Sequence, residues 1–420
     1  MTSLVLLSLL ACDQSPLLIR NVTVFNGERF DSSRDVLLAK GRIAKIAKAG
    51  TIAYAGRSMD GTGNTLLPGL IDAHLHFSIP GLPATEKAEE YSGRQLLRSG
   101  VTAGRLHLAP LEKASELKRL GAQECATMPA LVAGGPGIAG GAPQLNSPQY
   151  GGVKDAEDAR AKVQRIAEAG LDWVALHDIE KFSIDERNAL RQSARKYGLK
   201  IFVAATNFEQ ARIGLALRAD SIDYIDRTTA PSYPSDLLGA WRRAKVFAAP
   251  TVGIFALYAA CRAARDCPAN VASSFFRSAV GTDVSTQLQR DLASNPYVLE
   301  SAAFWPTLQR KLADLRASGA PVLVATDAGS PAYLHEGAIW WEMETWRRMG
   351  VPPLEVLKAA TSRSAKALDF ADRGVIRVGA IADFVLYRGD PRQSSFTLDR
   401  VLAVGRSGRL LVEGGRWVGP

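Results

Sequence analysis

Between residues 66 and 327 eight apolar runs alternate with amphipathic stretches, and few architectures accommodate that pattern. The runs fall at 66–76, 101–107, 127–133, 171–177, 199–205, 219–225, 245–251 and 320–327. Strands separated by helical crossovers pair in parallel, and eight such units are the number that closes a (β/α)8 barrel. At 420 residues the chain exceeds a barrel of ~250 residues, so a smaller unit is expected as well. Its material lies at both ends. Residues 17–66 carry short alternating strands such as Leu18-Ile19-Arg20-Asn21-Val22-Thr23-Val24, and a similar pattern returns over 372–420 in Asp383-Phe384-Val385-Leu386-Tyr387. Two β-rich ends around a helical middle predict one small composite β-sandwich built from both termini, with a barrel over 67–371.

Composition narrows the function classes. A hydrophobic content of 47% supplies a core, and 22% charged residues is ordinary for a soluble body. The formal charge of +9 comes without a dense Lys/Arg block interleaved with aromatics, so no nucleic-acid partner is expected. Residues 4–11 are apolar and precede Cys12, as at the end of a lipoprotein signal, although a positive leading region is missing. Residues 1–16 are therefore expected to be a signal and tether that holds the protein through Cys12 in the cell envelope, on the periplasmic side. If that segment is no signal, the protein is cytoplasmic. Cys261 and Cys267 are spaced for a local disulfide, whereas Cys125 is expected as an unpaired core residue.

Three segments carry local signals. Ser183-Ile184-Asp185-Glu186 has the spacing of a capping box opening the helix after the fourth strand. Residues 253–300 exceed a normal strand-to-helix connection and predict a lid over the barrel mouth. Gly134-Gly135-Pro136-Gly137 with Gly140-Gly141 lacks the Lys-Ser/Thr ending of a phosphate loop and predicts a mobile active-site loop.

Only five histidines occur, and two of them form His74-Leu75-His76 at the end of the first barrel run. Side chains two apart on a strand share a face, so this pair can offer two imidazoles to one metal ion. Asp327 ends the eighth run, which neighbours the first when a barrel closes. It is expected to complete the metal site and to act as a general base toward water, the alternative being a helix N-cap. His107 ends the second run and faces as Arg105 does; either suits a substrate carboxylate or phosphate, and a cap or salt bridge is as good a reading. His335 follows the eighth run, where a substrate contact and a structural role at a helix start both remain open.

These residues resemble the amidohydrolase superfamily, in the branch of imidazolonepropionases and Xaa-Pro dipeptidase-like enzymes. The resemblance rests on Leu67-Pro68-Gly69-Leu70-Ile71-Asp72-Ala73-His74-Leu75-His76, on Ala325-Thr326-Asp327-Ala328-Gly329, and on Ala359-Ala360-Thr361-Ser362 with the run Gly374 to Leu386. It implies a distorted (β/α)8 barrel with a composite β-sandwich and a divalent-metal hydrolase. Three ligands that the family implies are missing. Trp173-Val174-Ala175 stands where a carbamylated lysine is expected, Ala204 stands for the fifth-strand histidine, and Tyr224 for the sixth-strand one. His177, two residues beyond Ala175, faces the same interior and is a candidate replacement ligand, a substrate contact or a plain hydrogen-bonded histidine. Tyr224 either donates a proton to an oxyanion or fills the gap left by an imidazole.

The expected site is thus one ion, zinc by ligand type, held by His74, His76, His177 and Asp327, with Arg105, His107, Tyr224 and His335 near a small-molecule substrate. Three classes of function stand open. They are hydrolysis of a C–N or C–O bond, a degenerate binding protein of the envelope, and metal-dependent lyase or cyclase chemistry.

Overall fold

The computed structural model describes residues 14–77, 86–142, 144–264, 296–330 and 333–419. Near the N-terminus the alternating segments form β1 (Leu17–Phe25), β2 (Phe30–Ala39), β3 (Arg42–Lys48), β4 (Ser58–Asp60) and β5 (Thr65–Pro68). At the other end stand β15 (Phe384–Tyr387), β16 (Val401–Arg406), β17 (Arg409–Glu413) and β18 (Arg416–Trp417). All nine join one sheet, in the order β18-β17-β16-β15-β5-β1-β2-β3 with β4 beside β1. The seam between the two chain ends is the antiparallel pair β5/β15, with Leu67 opposite Val385. Apolar side chains from both ends share one core, in which Ile19, Val24, Val36, Phe384 and Leu386 are buried together. Because the pattern is period two, one face of each strand feeds that core.

The barrel strands are β6 (Leu70–Leu75), β7 (Val101–Leu106) and β8 (Ala130–Ala133), then β9 (Gly137–Ala139) and β10 (Tyr150–Gly152) at one edge, then β11 (Trp173–His177), β12 (Lys200–Ala204), β13 (Ser221–Asp223) and β14 (Phe247–Ala249). Parallel ladders link β6-β7-β8 and β9-β11-β12-β13-β14, and a bridge between Gly134 and Trp173 joins the two sets. Segment 321–328 closes the ring. Leu323 N–H donates to the Ala248 carbonyl at 2.8 Å on one side, and Asp327 N–H donates to the His74 carbonyl at 2.8 Å on the other.

This eighth segment differs from the regular strand expected at 320–327, since it makes isolated bridges rather than a ladder. The cause is local. Thr326 N–H donates to the Asp72 carboxylate at 3.0 Å and Val324 N–H donates to the Ala359 carbonyl at 3.2 Å, so both amides leave the ladder. The molecule is an α/β protein, a distorted (β/α)8 barrel with a small β-sandwich domain.

The capping box is present: Ser183 Oγ accepts from Glu186 N–H at 3.2 Å, and Glu186 Oε2 accepts from Ser183 N–H at 2.7 Å. The glycine-rich stretch is not the mobile loop expected. Gly137–Ala139 is β9, paired in parallel with β10 and, through Ile138 and Ala139, with β11. A Cβ at Gly137 would meet Leu108 at 2.7 Å and the His177 ring at 3.0 Å, so glycine there allows close approach to His177.

The middle of the expected lid at 253–300 lies outside the described residues, and its two ends are helices Gly253–Ala264 and Pro296–Ala317. Cys125 is exposed and disulfide-bonded, not an unpaired core residue. The strand expected from 127 begins only at Ala130, which leaves Cys125 in the turn after the helix Leu111–Ala122. The leader with Cys12 and the Cys261/Cys267 pairing involve residues or side chains outside those described.

Candidate metal centre

Inward positions alternate along the strands and stack in layers down the barrel. The interior cluster draws Ala103 from β7, Trp173 and Ala175 from β11, Phe202 from β12, Ala249 from β14, and Leu323 with Ala325 from the eighth segment. Continuing those parities one layer toward the strand ends brings in Arg105, His107, His177, Asp223 and Asp327. On β6 the pairing with β7 shifts register between Asp72 and Leu75. This irregularity lets Ile71 and Ala73 pack inside while His74, the next residue, also turns its ring inward onto His107 and Phe202.

The backbone is strained around the same rim. Leu108, Asp178, Tyr224, Thr251 and Asp327 all have positive φ, at 41°, 48°, 72°, 46° and 62°. Left-handed backbone costs a β-carbon-bearing residue roughly 1–3 kcal/mol, and such positions cluster at sites of function. Here the conformations follow the ends of five barrel strands.

His74 is the hub. Its Nδ1–H donates to Asp223 Oδ2 at 2.7 Å, which leaves Nε2 facing Asp327 Oδ1 at 3.4 Å and the Tyr224 hydroxyl at 3.4 Å. His76 Nε2 lies 3.0 Å from the same Asp327 oxygen. Ligand atoms around a tetrahedral zinc with bonds of ~2.0 Å sit roughly 3.3 Å apart, so this spacing matches a coordination shell as well as it matches hydrogen bonds.

His107 completes the group. The rings of His74, His76 and His107 bring nitrogens within 4.8 Å of one another. His107 is fully buried, and neither of its ring nitrogens has a hydrogen-bond partner. An orphaned buried imidazole beside two others fits a metal ion. A carboxylate that accepts from the far nitrogen of a ligating histidine, as Asp223 does for His74, is the usual outer support of such a site.

The histidines are tuned in opposite directions: burial lowers the basicity of His74, but its bonds to Asp223 and Asp327 outweigh this and raise it above the ordinary histidine value. Burial lowers the basicity of His107 well below the ordinary histidine value, and neighbouring His74 and His76 lower it further, so it stays neutral as a ligand must. His177 is likewise pushed down to about 3, first by burial and then by His74 and His76. Burial opposes ionisation of Asp327, but hydrogen bonds to His74 and His76 outweigh it and hold the carboxyl below the usual range. Asp72, which ties β6 to Thr326, is pushed up to about 6 by burial despite three donors.

A cavity of about 860 Å3 opens directly above. His76, Asp327, Tyr224 and His177 line its floor, Ile254, Phe255 and Phe304 give it an apolar wall, and Asn207, Thr228 and Arg227 give it a polar one. His74 and His107 lie beneath the floor, out of the cavity.

Four sequence expectations change here. His177 does not join the His74/His76 pair, because the His107 ring intervenes, 4.0 Å from His74 and 5.4 Å from His177. His107 stands in the candidate ligand group and does not line the cavity where a substrate would lie. Arg105 cannot reach substrate: it is wholly buried, bonded to Asp223 and packed on Trp173 and Phe202. His335 is buried behind the site, where its Nε2–H donates to the His76 carbonyl at 2.6 Å, and it does not line the cavity. Asp223 was not foreseen. Its one sequence signal is the Ser221-Ile222-Asp223-Tyr224 run, in which parity turns Asp223 inward.

Comparison with known proteins follows the same direction. A sequence profile of the amidohydrolase family matches residues 279–412. An N-acetylglucosamine-6-phosphate deacetylase of Lysinibacillus sphaericus is 35% identical over 89 residues, covering 21% of this chain and 23% of that protein. A dihydroorotase of Syntrophus aciditrophicus is 38% identical over 77 residues, 18% of this chain and 16% of its own length. The matches thus span less than a quarter of these curated relatives.

Among solved structures, a protein described as a prolidase from Bifidobacterium longum superposes with a TM-score of 0.76 at 20% identity, covering 96% of both chains. A Xaa-Pro dipeptidase with bound methionine gives 0.73 at 20% identity, covering 95% of this chain and all of that one. The chain shares the fold of these structures, and its residues 279–412 resemble the amidohydrolase family.

Proposed function

We propose that this protein is a hydrolase of an amide or other C–N bond in a small molecule, working with one divalent ion held by His74, His76 and His107. The observation that carries the reading is His107, a buried imidazole whose two nitrogens have no partner and which lies within 4.8 Å of the nitrogens of a histidine pair. Three imidazoles, with Asp327 beside them at the cavity floor, would make a ligand set of the kind used in catalytic zinc sites. When bound, such an ion supplies Lewis acidity toward a carbonyl and lowers the pKa of water.

The chain's own residues have separable roles. Asp223 fixes the His74 ring by accepting from Nδ1. Asp327 Oδ1, ionised and bordering both His74 and His76 at the cavity floor, accepts the proton of the attacking water and returns it to the leaving nitrogen. Tyr224 remains protonated, because burial and then the Asp327 charge raise its phenol well above the ordinary value; its O–H is available to a developing oxyanion. Arg227, with its guanidinium carbon 4.6 Å from the Tyr224 ring centre and 4.7 Å from that of Phe255, places a cation on the cavity wall suited to an acidic substrate group. Relatives named as prolidases, a deacetylase and dihydroorotases, all acting at C–N bonds, support the reaction class. The disulfide at Cys125 supports an oxidising compartment and hence export.

The test is turnover by the zinc-loaded chain on a panel of N-acyl amino acids, dipeptides and cyclic amides. Release of amine that disappears on chelation and returns with zinc is expected. A protein that takes up one ion but cleaves none of these classes would instead be an ion-dependent binding protein.

A further inference from the structure

We propose that Arg105 is a positioning residue of the metal centre, fixing the tautomer and ring orientation of His74 through Asp223. The inference rests on the reading that His74 holds an ion. Arg105 lies at the barrel axis beneath the histidines with no exposure. Its guanidinium carbon is 4.6 Å from the ring centres of both Trp173 and Phe202, which pack against it. Alanines at 103 and 175 on the same inner surface leave the space that this side chain fills.

A guanidinium so buried could be satisfied by five acceptors, yet this one makes a single hydrogen bond. Nη2–H donates to Asp223 Oδ2, while Nε and Nη1 have no hydrogen-bond partner. All of its directed polar interaction is therefore spent on one carboxylate oxygen, the same oxygen that accepts from His74 Nδ1. Ser221 Oγ–H holds the other oxygen at 2.5 Å.

Pinned at both ends, the Asp223 carboxylate has one orientation. An ionised carboxylate only accepts, so the proton of the contact belongs to His74 Nδ1, and Nε2 is turned toward Asp327 as the nitrogen that would hold an ion. Removing Arg105 would leave Oδ2 of Asp223 with His74 as its one remaining partner and the buried carboxylate without its cation, so the His74–Asp223 contact would lose its fixed geometry. The Arg105–Asp223–His74 chain thus transmits order from the barrel axis to the ligand.

The chain's small histidine count makes the test direct. Nitrogen NMR of the full-length, metal-free protein, recorded above the His74 pKa that Asp223 and Asp327 raise, should show His74 as a single Nδ1–H tautomer with a slowly exchanging ring proton. In Arg105→Met that signature should be lost, and zinc affinity measured by chelator competition should fall at least about tenfold, as for other outer-shell partners. Arg105→Lys, which retains a charge, should recover part of both. Arg105→Lys also serves if Arg105→Met does not fold: its His74 ring proton should exchange faster, and its zinc affinity be lower, than in wild type. A merely structural arginine would lower stability and leave the His74 tautomer unchanged, and that result overturns the inference. If the wild-type protein takes up no zinc, the functional reading fails separately, while the NMR comparison still decides whether Arg105 orients His74.

Discussion

Tyr224 and His107 occupy opposite sides of one boundary, the cavity floor, and single substitutions separate their roles. Tyr224 lines the cavity with its hydroxyl 3.4 Å from His74 Nε2, whereas His107 is sealed beneath. Tyr224→Phe is expected to retain the ion and lose activity by about 10²–10³, the magnitude seen when one oxyanion donor is removed. Steady-state rates beside metal content measure this; unchanged kcat would show that the tyrosine only fills space. The residue scale is also where sequence reading was most and least informative. His74, His76 and Asp327 were legible because each ends a strand-like run whose neighbours are known once a barrel is assumed. Roles within the interior were not, since parity puts Arg105 and His107 on one face without giving depth. Depth is set by Trp173, Phe202 and the surrounding alanines, and it buries both residues below the reach of substrate.

Among the elements, the eighth barrel segment shows how the site and the fold constrain one another. Its Thr326 amide and hydroxyl donate to Asp72, at 3.0 and 2.6 Å, and these bonds replace part of the ladder that would otherwise join it to β6. The run at 320–327 was legible as extended and apolar, but its loss of ladder pairing was not, because it depends on a carboxylate 254 residues away. Thr326→Val removes one donor from a buried carboxyl and should lower stability by about 1–3 kcal/mol. Because Asp327 follows directly, the same change should weaken zinc binding as well. Denaturant unfolding of the metal-free variant checks the first part, and stability equal to wild type would mean that Asp72 does not bind the two segments together. The composite sheet illustrates the opposite case. Period-two patterning at both chain ends, with buried Leu67 facing Val385, made its strands readable from sequence alone.

For the molecule as a whole, buried titratable groups around the barrel pull stability in opposite directions with pH. His335 has its basicity lowered by burial to about 4, below the 6.5 of a free imidazole, so its contribution is complete above pH 6.5 and is lost as pH falls toward 4. The loss amounts to roughly 3 kcal/mol at full protonation. Asp72 and Glu342 are raised by burial to about 6 and about 8, so their contributions are lost as pH rises instead. The total curve therefore cannot isolate one group, but a variant can. The stability difference between wild type and His335→Asn should shrink between pH 7 and pH 4.5 in urea unfolding, and a constant difference would exclude this titration.

Fold and site meet in the claim that the barrel mouth holds one ion on three imidazoles. The most direct measurement is elemental analysis of the purified full chain beside its His107→Ala variant after zinc loading and removal of excess. One zinc per wild-type chain, lost from His107→Ala, is the predicted result; a wild-type chain without zinc, or full retention by the variant, would contradict it.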